Sequence, residues 1–212
     1  RVDWMDASNE SFALMQDPRV NGKVGILDSA ADSLFLMMHH LGIDITDKDQ
    51  LTKAAIDQGI DAFREMRDAG QIRAFFGDTS SMIEALGNEE IDVALGWNEI
   101  AWSSGGKMMQ PPEGTMTWAC GLAIVKGANL DAAYAMINGA TSAETSAYLL
   151  SEWGYGHSNK KGFSTLTADE LAERGVASNP IEHLNNGMFS VMPSDAVTDY
   201  MEKEWALMVA GG

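Results

Sequence analysis

Apolar and polar positions along the chain fall into blocks whose period shifts between two and about 3.6, and the blocks predict a series of strands and helices. Lys23 to Leu27 reads as a strand. Asp28-Ser29 follows, with short polar side chains suited to capping orphan N–H groups. Leu34, Met37, Met38 and Leu41 then recur at helical spacing, and Gly42 stops the helix. Asp47 to Ala69 predicts one or two helices, interrupted near Gly59 and closed by Gly70. Gln71 to Phe76 is a second strand, with Gly77-Asp78-Thr79 as its exit loop. Ser81 and Glu84 have the spacing of a capping box, which opens a helix carrying Met82, Ile83 and Leu86 inward. Gly87 closes that helix before a third strand, Val93 to Leu95. Strand, helix, strand, helix, strand is the pattern of an α/β fold, a parallel sheet with helices on its faces.

The blocks on either side are shorter. Residues 1–21 predict an irregular lead-in or hinge with a Trp4-Met5 pair, a short helix near Glu10 to Gln16, and Asp17-Pro18-Arg19. After the third strand, Asn98 to Ser104 predicts a helix. Short strands are expected at Lys107 to Gln110 and Thr115 to Trp118, around Pro111-Pro112, and another at Gly121 to Val125. Leu130, Tyr134 and Ile137 mark a helix. Thr141 and Glu144 read as a second capping box, opening a helix that runs to Trp153. Gly154 to His157 is a flexible turn, and Thr167 to Glu170 opens another short helix. Val197, Met201, Trp205 and Met208 line one face of a last helix. The chain carries no internal repeat.

The polar residues fall at informative places. Asp28 follows the first strand, Asp78 the second, and Trp97-Asn98-Glu99 the third. In a parallel sheet these exits share one edge, where helix N-termini also gather and where ligands bind in open α/β folds. Asp28 and Asp78 taken singly read first as turn or cap residues; as a set with Trp97 they read as a ligand site. Aromatic faces attract ammonium groups through their quadrupole, by about 0.5–2 kcal/mol each. Of the 6 tryptophans, Trp97 and Trp118 each end a strand and are the candidate ring contacts. Trp4, Trp102, Trp153 and Trp205 are expected to pack in the core or at hinges.

Composition narrows the classes. The 212 residues suffice for one large domain or two small ones. With 14 Lys+Arg against 31 Asp+Glu, the net charge of −17 argues against nucleic acid, whose affinity rests on basic side chains. It suits a cationic ligand or a salty environment, although a solvated acidic surface accounts for most of it. No apolar run reaches the ~18 residues of a membrane span. The single cysteine, Cys120, excludes an internal disulfide. The chain opens on Arg1 and shows no signal peptide, and the expectation is that one has been removed or that the N-terminus is missing.

Catalytic and metal motifs are missing: there is no nucleophile elbow, zincin helix or phosphate loop. His39 and His40 are neighbours on a helix and point about 100° apart, so they are expected at its boundary and not as paired ligands. His157 and His183 have no ligand-spaced carboxylate nearby. Cys120, in an apolar strand, reads as a small buried hydrophobe. The expectation is no cofactor, no metal and no catalytic residue.

Four stretches in order, GKVGILD at 22–28, EIDVALGWN at 90–98, TWACGLAIV at 117–125 and EWGYG at 152–156, resemble the spermidine/putrescine-type substrate-binding proteins of bacterial ABC transporters. The resemblance runs from about residue 18 along most of the chain. It implies a two-lobed periplasmic-binding-protein clamp with the ligand held by both lobes. Residues 22–118 and 164–212 would form the second lobe, and 119–163 would return to the first. By the same resemblance, about a hundred residues that open the family's first lobe, a domain-sized piece, would be missing from this sequence. Alone, Gly121 to Phe163 would expose surface that ought to be buried.

The resemblance also implies roles. Trp97 and Trp118 stand where the family places aromatic walls, and Tyr155 where it places a further ring. Cys120 stands where the family has a key carboxylate. Ala30 and Ser33 occupy the positions of an acidic pair, with Asp28 and Asp32 nearby. A long diamine needs a carboxylate at each end, because a buried unpaired ammonium costs several kcal/mol. A smaller cation, a quaternary ammonium or an amino acid-like molecule therefore fits better than a polyamine. The implied partners are that solute and an ABC permease, with a monomeric protein when full length. Two other functions compete: a ligand-sensing clamp of a regulator, which would carry a basic DNA-binding segment that this chain lacks, and an enzyme with Cys120 as nucleophile.

Overall fold

Val24-Gly25-Ile26-Leu27 forms strand β1, buried at every position. A strand that is apolar without alternation needs cover on both faces, as the centre of a parallel sheet has. β1 is that centre. It pairs in parallel with β2 (Ile72–Phe76) on one side and with β3 (Val93–Leu95) on the other. The computed structural model describes residues 10–179, 181, 184–185 and 187–212; Trp4, Met5 and His183 lie outside them. The chain forms two compact units, one running to Met116 and including Met188–Gly212, the other Thr117–Gly187.

In the first unit a π-helical turn at Ala30–Leu34 leads into α1 (Phe35–His40). Helix α2 (Lys53–Asp68) starts at Thr52, whose hydroxyl accepts the Ala55 N–H at 3.2 Å. Its Ala55, Ile56, Ile60, Phe63 and Met66 are buried as one stripe. They join Leu34, Met37 and Met38 of the preceding helical segment, and Val24, Ile26, Val93 and Leu95 of the sheet. A smaller cluster of Leu27, Met82, Ala85, Leu86, Ile91 and Ile100 is built largely from α3 (Thr79–Gly87) and α4 (Asn98–Ser103). The sheet is thus covered by helices, as the blocks predicted.

Several expectations need correction. Gly59 does not interrupt α2: the helix runs through it, and the missing side chain lets Leu34 and Met38 pack close. A Cβ there would lie 2.5 Å from Leu34 Cδ1 and 3.0 Å from Met38 Cγ. Residues 47–52 form turns and no helix. Asp78, not Ser81, caps α3, because it is the first short acceptor after β2 and the Ser81 N–H reaches it at 2.8 Å. Similarly Ser142, not Thr141, caps the second helix of the next unit. The Thr141 hydroxyl is turned back onto the Ile137 carbonyl, while Ser142 accepts the Thr145 N–H.

The second unit holds α5 (Leu130–Ala140), α6 (Ala143–Tyr148) with a π-helical extension at Leu149–Trp153, and α7 (Ala168–Glu173). Thr167 and Glu170 form the predicted capping box. The unit's core is small: Leu150, Phe163, Leu171 and Val176. The strands expected at 107–110, 115–118 and 121–125 do not form. Met116 makes only an isolated bridge to Met188, and residues 118–127 are exposed, without regular structure to Val125 and with a turn at Lys126-Gly127. A strand exists only with a partner to take its hydrogen bonds, and no described segment supplies one to 121–125. The final helix, α8 (Asp195–Val209), returns to the first unit and buries Met201, Trp205 and Met208. The Trp205 ring meets Phe63 and Phe75 edge-on at 5.3 and 5.8 Å.

Candidate functional site

The strand register sets which side chains meet at the exit edge. Leu27 lies beside Phe76, and Ile26 beside Leu95. Asp28, Asp78 and Trp97 therefore leave the same edge of the sheet, each one or two residues after its strand ends. The Asp28 N–H donates to the Phe76 carbonyl at 2.8 Å, which prolongs the ladder by one residue.

Each of these groups has an internal partner. Asp28 Oδ1 accepts the Trp205 indole N–H at 2.7 Å. Asp32 accepts the Ser29 hydroxyl at 2.8 Å. Ser33 is 1% exposed and its hydroxyl donates to the Leu27 carbonyl at 2.6 Å, so in this conformation it faces the protein. Asp78 accepts both the N–H and the hydroxyl of Ser81. These bonds, the N–H first, hold its carboxyl below the ordinary aspartate range.

Trp97 occupies the N-cap position of α4 and is half-buried, packed on the cluster that contains Leu27, Met82 and Ile100. Asn98 and Glu99 follow in the first turn, also half-buried. Trp97 lines a cavity of about 150 Å³ whose walls are mostly apolar, including Phe12, Leu95, Met108 and Met116, with Asp92, Lys107 and Thr115 as polar members. A second, open hollow of about 510 Å³ is lined by Asp28, Ser29, Glu202 and Trp205. The exit edge thus feeds two hollows, one apolar with Trp97 and one acidic with Asp28. Glu202 and Trp205 are additions from α8 that the sequence did not signal, since Trp205 is separated from Asp28 by most of the chain.

Within the second unit, Trp118 is 45% exposed and meets Tyr155 edge-to-face at 5.3 Å. Trp153 is 50% exposed and lies 6.4 Å from the same tyrosine. Packing of Trp153 in the core is therefore not what occurs: Gly154 takes a left-handed turn (φ 68°) just after it, and the helix ends with the indole outside. Cys120 is also exposed and is not the buried hydrophobe its neighbours suggested, because its segment enters no sheet among the described residues. Trp102 is half-buried.

The histidines behave as boundary residues. His39 Nε2 is 2.7 Å from the Glu113 carbonyl, and His40 Nδ1 is 3.9 Å from the Glu113 carboxylate. Glu113 also receives the Ser11 hydroxyl. Glu10, 6% exposed, accepts Lys107 Nζ and the Gln110 N–H at 2.6 Å. These bonds, Lys107 first, keep the Glu10 carboxyl ionised below its usual range. They fix residues 107–113 against the start of the described chain and α1. No group of three His, Cys, Asp or Glu suited to a metal occurs among the described residues. Nor is any described helix long and apolar enough to cross a membrane.

The sequence profile of the family described as bacterial extracellular solute-binding protein matches residues 2–173. A solved structure assigned as a spermidine/putrescine ABC transporter from Listeria monocytogenes superimposes with a TM-score of 0.76 at 19% identity. The match covers 94% of this chain and 61% of that one, so the chain spans less than two thirds of its structural relative. At that identity the likeness is one of fold. No curated protein matches the chain in sequence.

Proposed function

As the chain belongs to the bacterial extracellular solute-binding protein family, we propose that it captures a small amine-bearing or cationic solute in the periplasm and delivers it to the permease of an ABC importer. The observation that carries this reading is the exit edge of the sheet. Three parallel strands end together there, and they present Asp28, Asp78 and a half-exposed indole, Trp97, with Asn98 and Glu99 beside it. Carboxylates and an aromatic face are the two groups that recognise an ammonium. The net charge of −17 favours cations over anions throughout the surface. The Listeria relative's assignment to spermidine and putrescine points to the same chemistry.

The ligand side chains we assign in the first unit are Asp28, Asp32, Asp78, Trp97, Asn98 and Glu99. Trp118, Cys120 and Tyr155 are those of the second unit. Cys120 brings no charge where the resemblance places a carboxylate, which favours a polyamine less than a betaine-like or amino acid-like solute. The chemistry is binding without turnover.

Calorimetry against polyamines, betaines and amino acids tests the reading. At least one class is expected to bind, and Trp97→Ala is expected to weaken that binding about tenfold, within the range of an aromatic–cation contact that is partly desolvated. Because Trp97 is only half-buried, the variant should keep its far-UV spectrum and cooperative unfolding. No binding by any class overturns the function, and an unchanged dissociation constant in the variant removes Trp97 from the site.

A further inference from the structure

Residues 106–115 contain no helix or strand, yet they close one side of the cavity beside Trp97, to which Met108, Met109 and Pro111 contribute. A stretch without a ladder of its own is held by the bonds it makes at particular points. Backbone bonds fasten its two ends. The Gly106 N–H donates to the Ala101 carbonyl at 2.8 Å, and the Met188 N–H donates to the Thr115 carbonyl at 3.1 Å. Between those ends the polar ties run to residues 10–11 and to α1. Glu10 accepts Lys107 Nζ and, at 2.6 Å, the Gln110 N–H. The Ser11 hydroxyl donates to Glu113 Oε1, and the Glu113 carbonyl lies 2.7 Å from His39 Nε2. Met109 and Met116 add apolar packing on the main core. All of these groups belong to the first unit.

We infer that Glu10 is a positioning residue which, with Glu113 as a second and weaker anchor, straps residues 107–113 over the cavity beside Trp97 and governs access to it. The inference rests on the proposed function in taking that cavity as part of the solute site. Glu10 is 6% exposed. A carboxylate so buried is tolerated where charge-assisted donors meet it. Both of its donors come from the strap, so the burial of Glu10 and the position of the strap depend on each other. Lys107 and Gln110 are three residues apart, and two bonds to one carboxylate fix the direction of the segment that carries Met108 and Met109. Glu113 is a less complete anchor. Its Oε2 is buried and has no hydrogen-bond partner among the described residues, a state that costs free energy. His40 Nδ1, 3.9 Å from Oε1, is beyond hydrogen-bond distance. The strap is thus firm at Glu10 and loose at Glu113.

The test measures acrylamide quenching of tryptophan fluorescence in the whole chain. Each variant is also made in a Trp97→Phe background, so that the difference reports Trp97 alone. Trp97 is half-buried and has shielding to lose. Glu10→Gln is expected to raise the quenching constant of the Trp97 share about twofold or more, because removing a charge-assisted tie populates the lifted strap. Glu113→Gln is expected to raise it by less. An increase that persists in full without Trp97, a larger effect at Glu113 than at Glu10, or no increase in a Glu10→Gln variant that unfolds cooperatively overturns the inference. A lowered unfolding midpoint with unchanged shielding of Trp97 means that Glu10 only stabilises the fold, and overturns it too. Should Glu10→Gln fail to fold, Lys107→Ala, a change at an exposed residue, decides alone: greater quenching of the Trp97 share supports the strap, and unchanged quenching overturns it. Putrescine, glycine betaine and lysine are titrated alongside. Binding by none of them sinks the proposed function, while the quenching still decides the strap. Binding with Trp97 shielding unchanged by Glu10→Gln sinks the strap alone.

Discussion

Asp28 shows how much a single side chain's role depends on a partner far along the chain. Its position after β1 suits a helix cap or a solute contact, but the cap belongs to Ser29, whose hydroxyl accepts the Asp32 N–H, and Asp28 instead takes the indole N–H of Trp205. Asp28→Ala leaves that indole without its acceptor and is expected to lower the unfolding free energy by about 1–2 kcal/mol, the usual penalty for an unmet buried donor. Asp28→Asn keeps an acceptor and should cost less than half as much. Denaturant midpoints measure both. If Asp28 also contacts solute, both variants weaken binding, which separates the two roles. Tyr200 offers a second residue-level prediction. Its hydroxyl donates to Asp57 at 2.6 Å, and this bond first, then burial and neighbouring carboxylates, pushes its pKa up to about 12. A raised acid gives stability that is complete below the unfolded-state value and is lost as pH climbs through the folded one. Alkaline titration should show one tyrosine ionising near 12, and Tyr200→Phe should remove that step together with the matching part of the alkaline destabilisation.

Elements form where side-chain periodicity and a partner surface agree. α2 is the clearest case: its buried stripe is legible in the pattern, and the helix survives a glycine that by propensity alone costs about 1 kcal/mol against alanine. Gly59 stays because Leu34 and Met38 occupy the space a side chain would need. Both neighbours are fully buried and have little room to shift. Gly59→Ala therefore sets a gain of about 1 kcal/mol in propensity against about 1–3 kcal/mol of overpacking. Net destabilisation is the expected outcome, read from thermal unfolding, and a more stable variant would show that Leu34 and Met38 can repack. The reverse case is Gly121 to Val125, apolar and strand-like in pattern but with no partner strand among the described residues. In the helices, alternative acceptors one or three residues apart, Thr141 or Ser142 and Asp78 or Ser81, were not separable by spacing. Which of them caps depends on where the preceding element ends.

At the scale of the whole molecule, the exposed apolar side chains concentrate in the second unit. Leu122, Val125, Leu130, Tyr134, Met136, Tyr148 and Trp153 are all more than half exposed or close to it, and α5 buries no residue. Amides of residues 121–125 are expected to exchange with solvent at rates near those of an unstructured chain, while those of β1 stay protected. Strong protection at 121–125 in hydrogen-exchange measurements on this chain would mean that a partner strand is present in solution. What the sequence determined by itself was the order of β1, β2 and β3, the helices that connect them, and therefore the edge from which Asp28, Asp78 and Trp97 emerge. Those follow from local period and from the geometry of parallel crossovers, which need no knowledge of distant residues. Only the tertiary structure decided that Asp28 pairs with Trp205, that Asp28 and Trp97 line separate hollows, that Trp153 is outside the core, and that 121–125 joins no sheet among the described residues. Each of those depends on contacts far apart along the chain or on the presence of a second surface, and burial and hydrogen bonding are properties of such pairs, never of one stretch read alone.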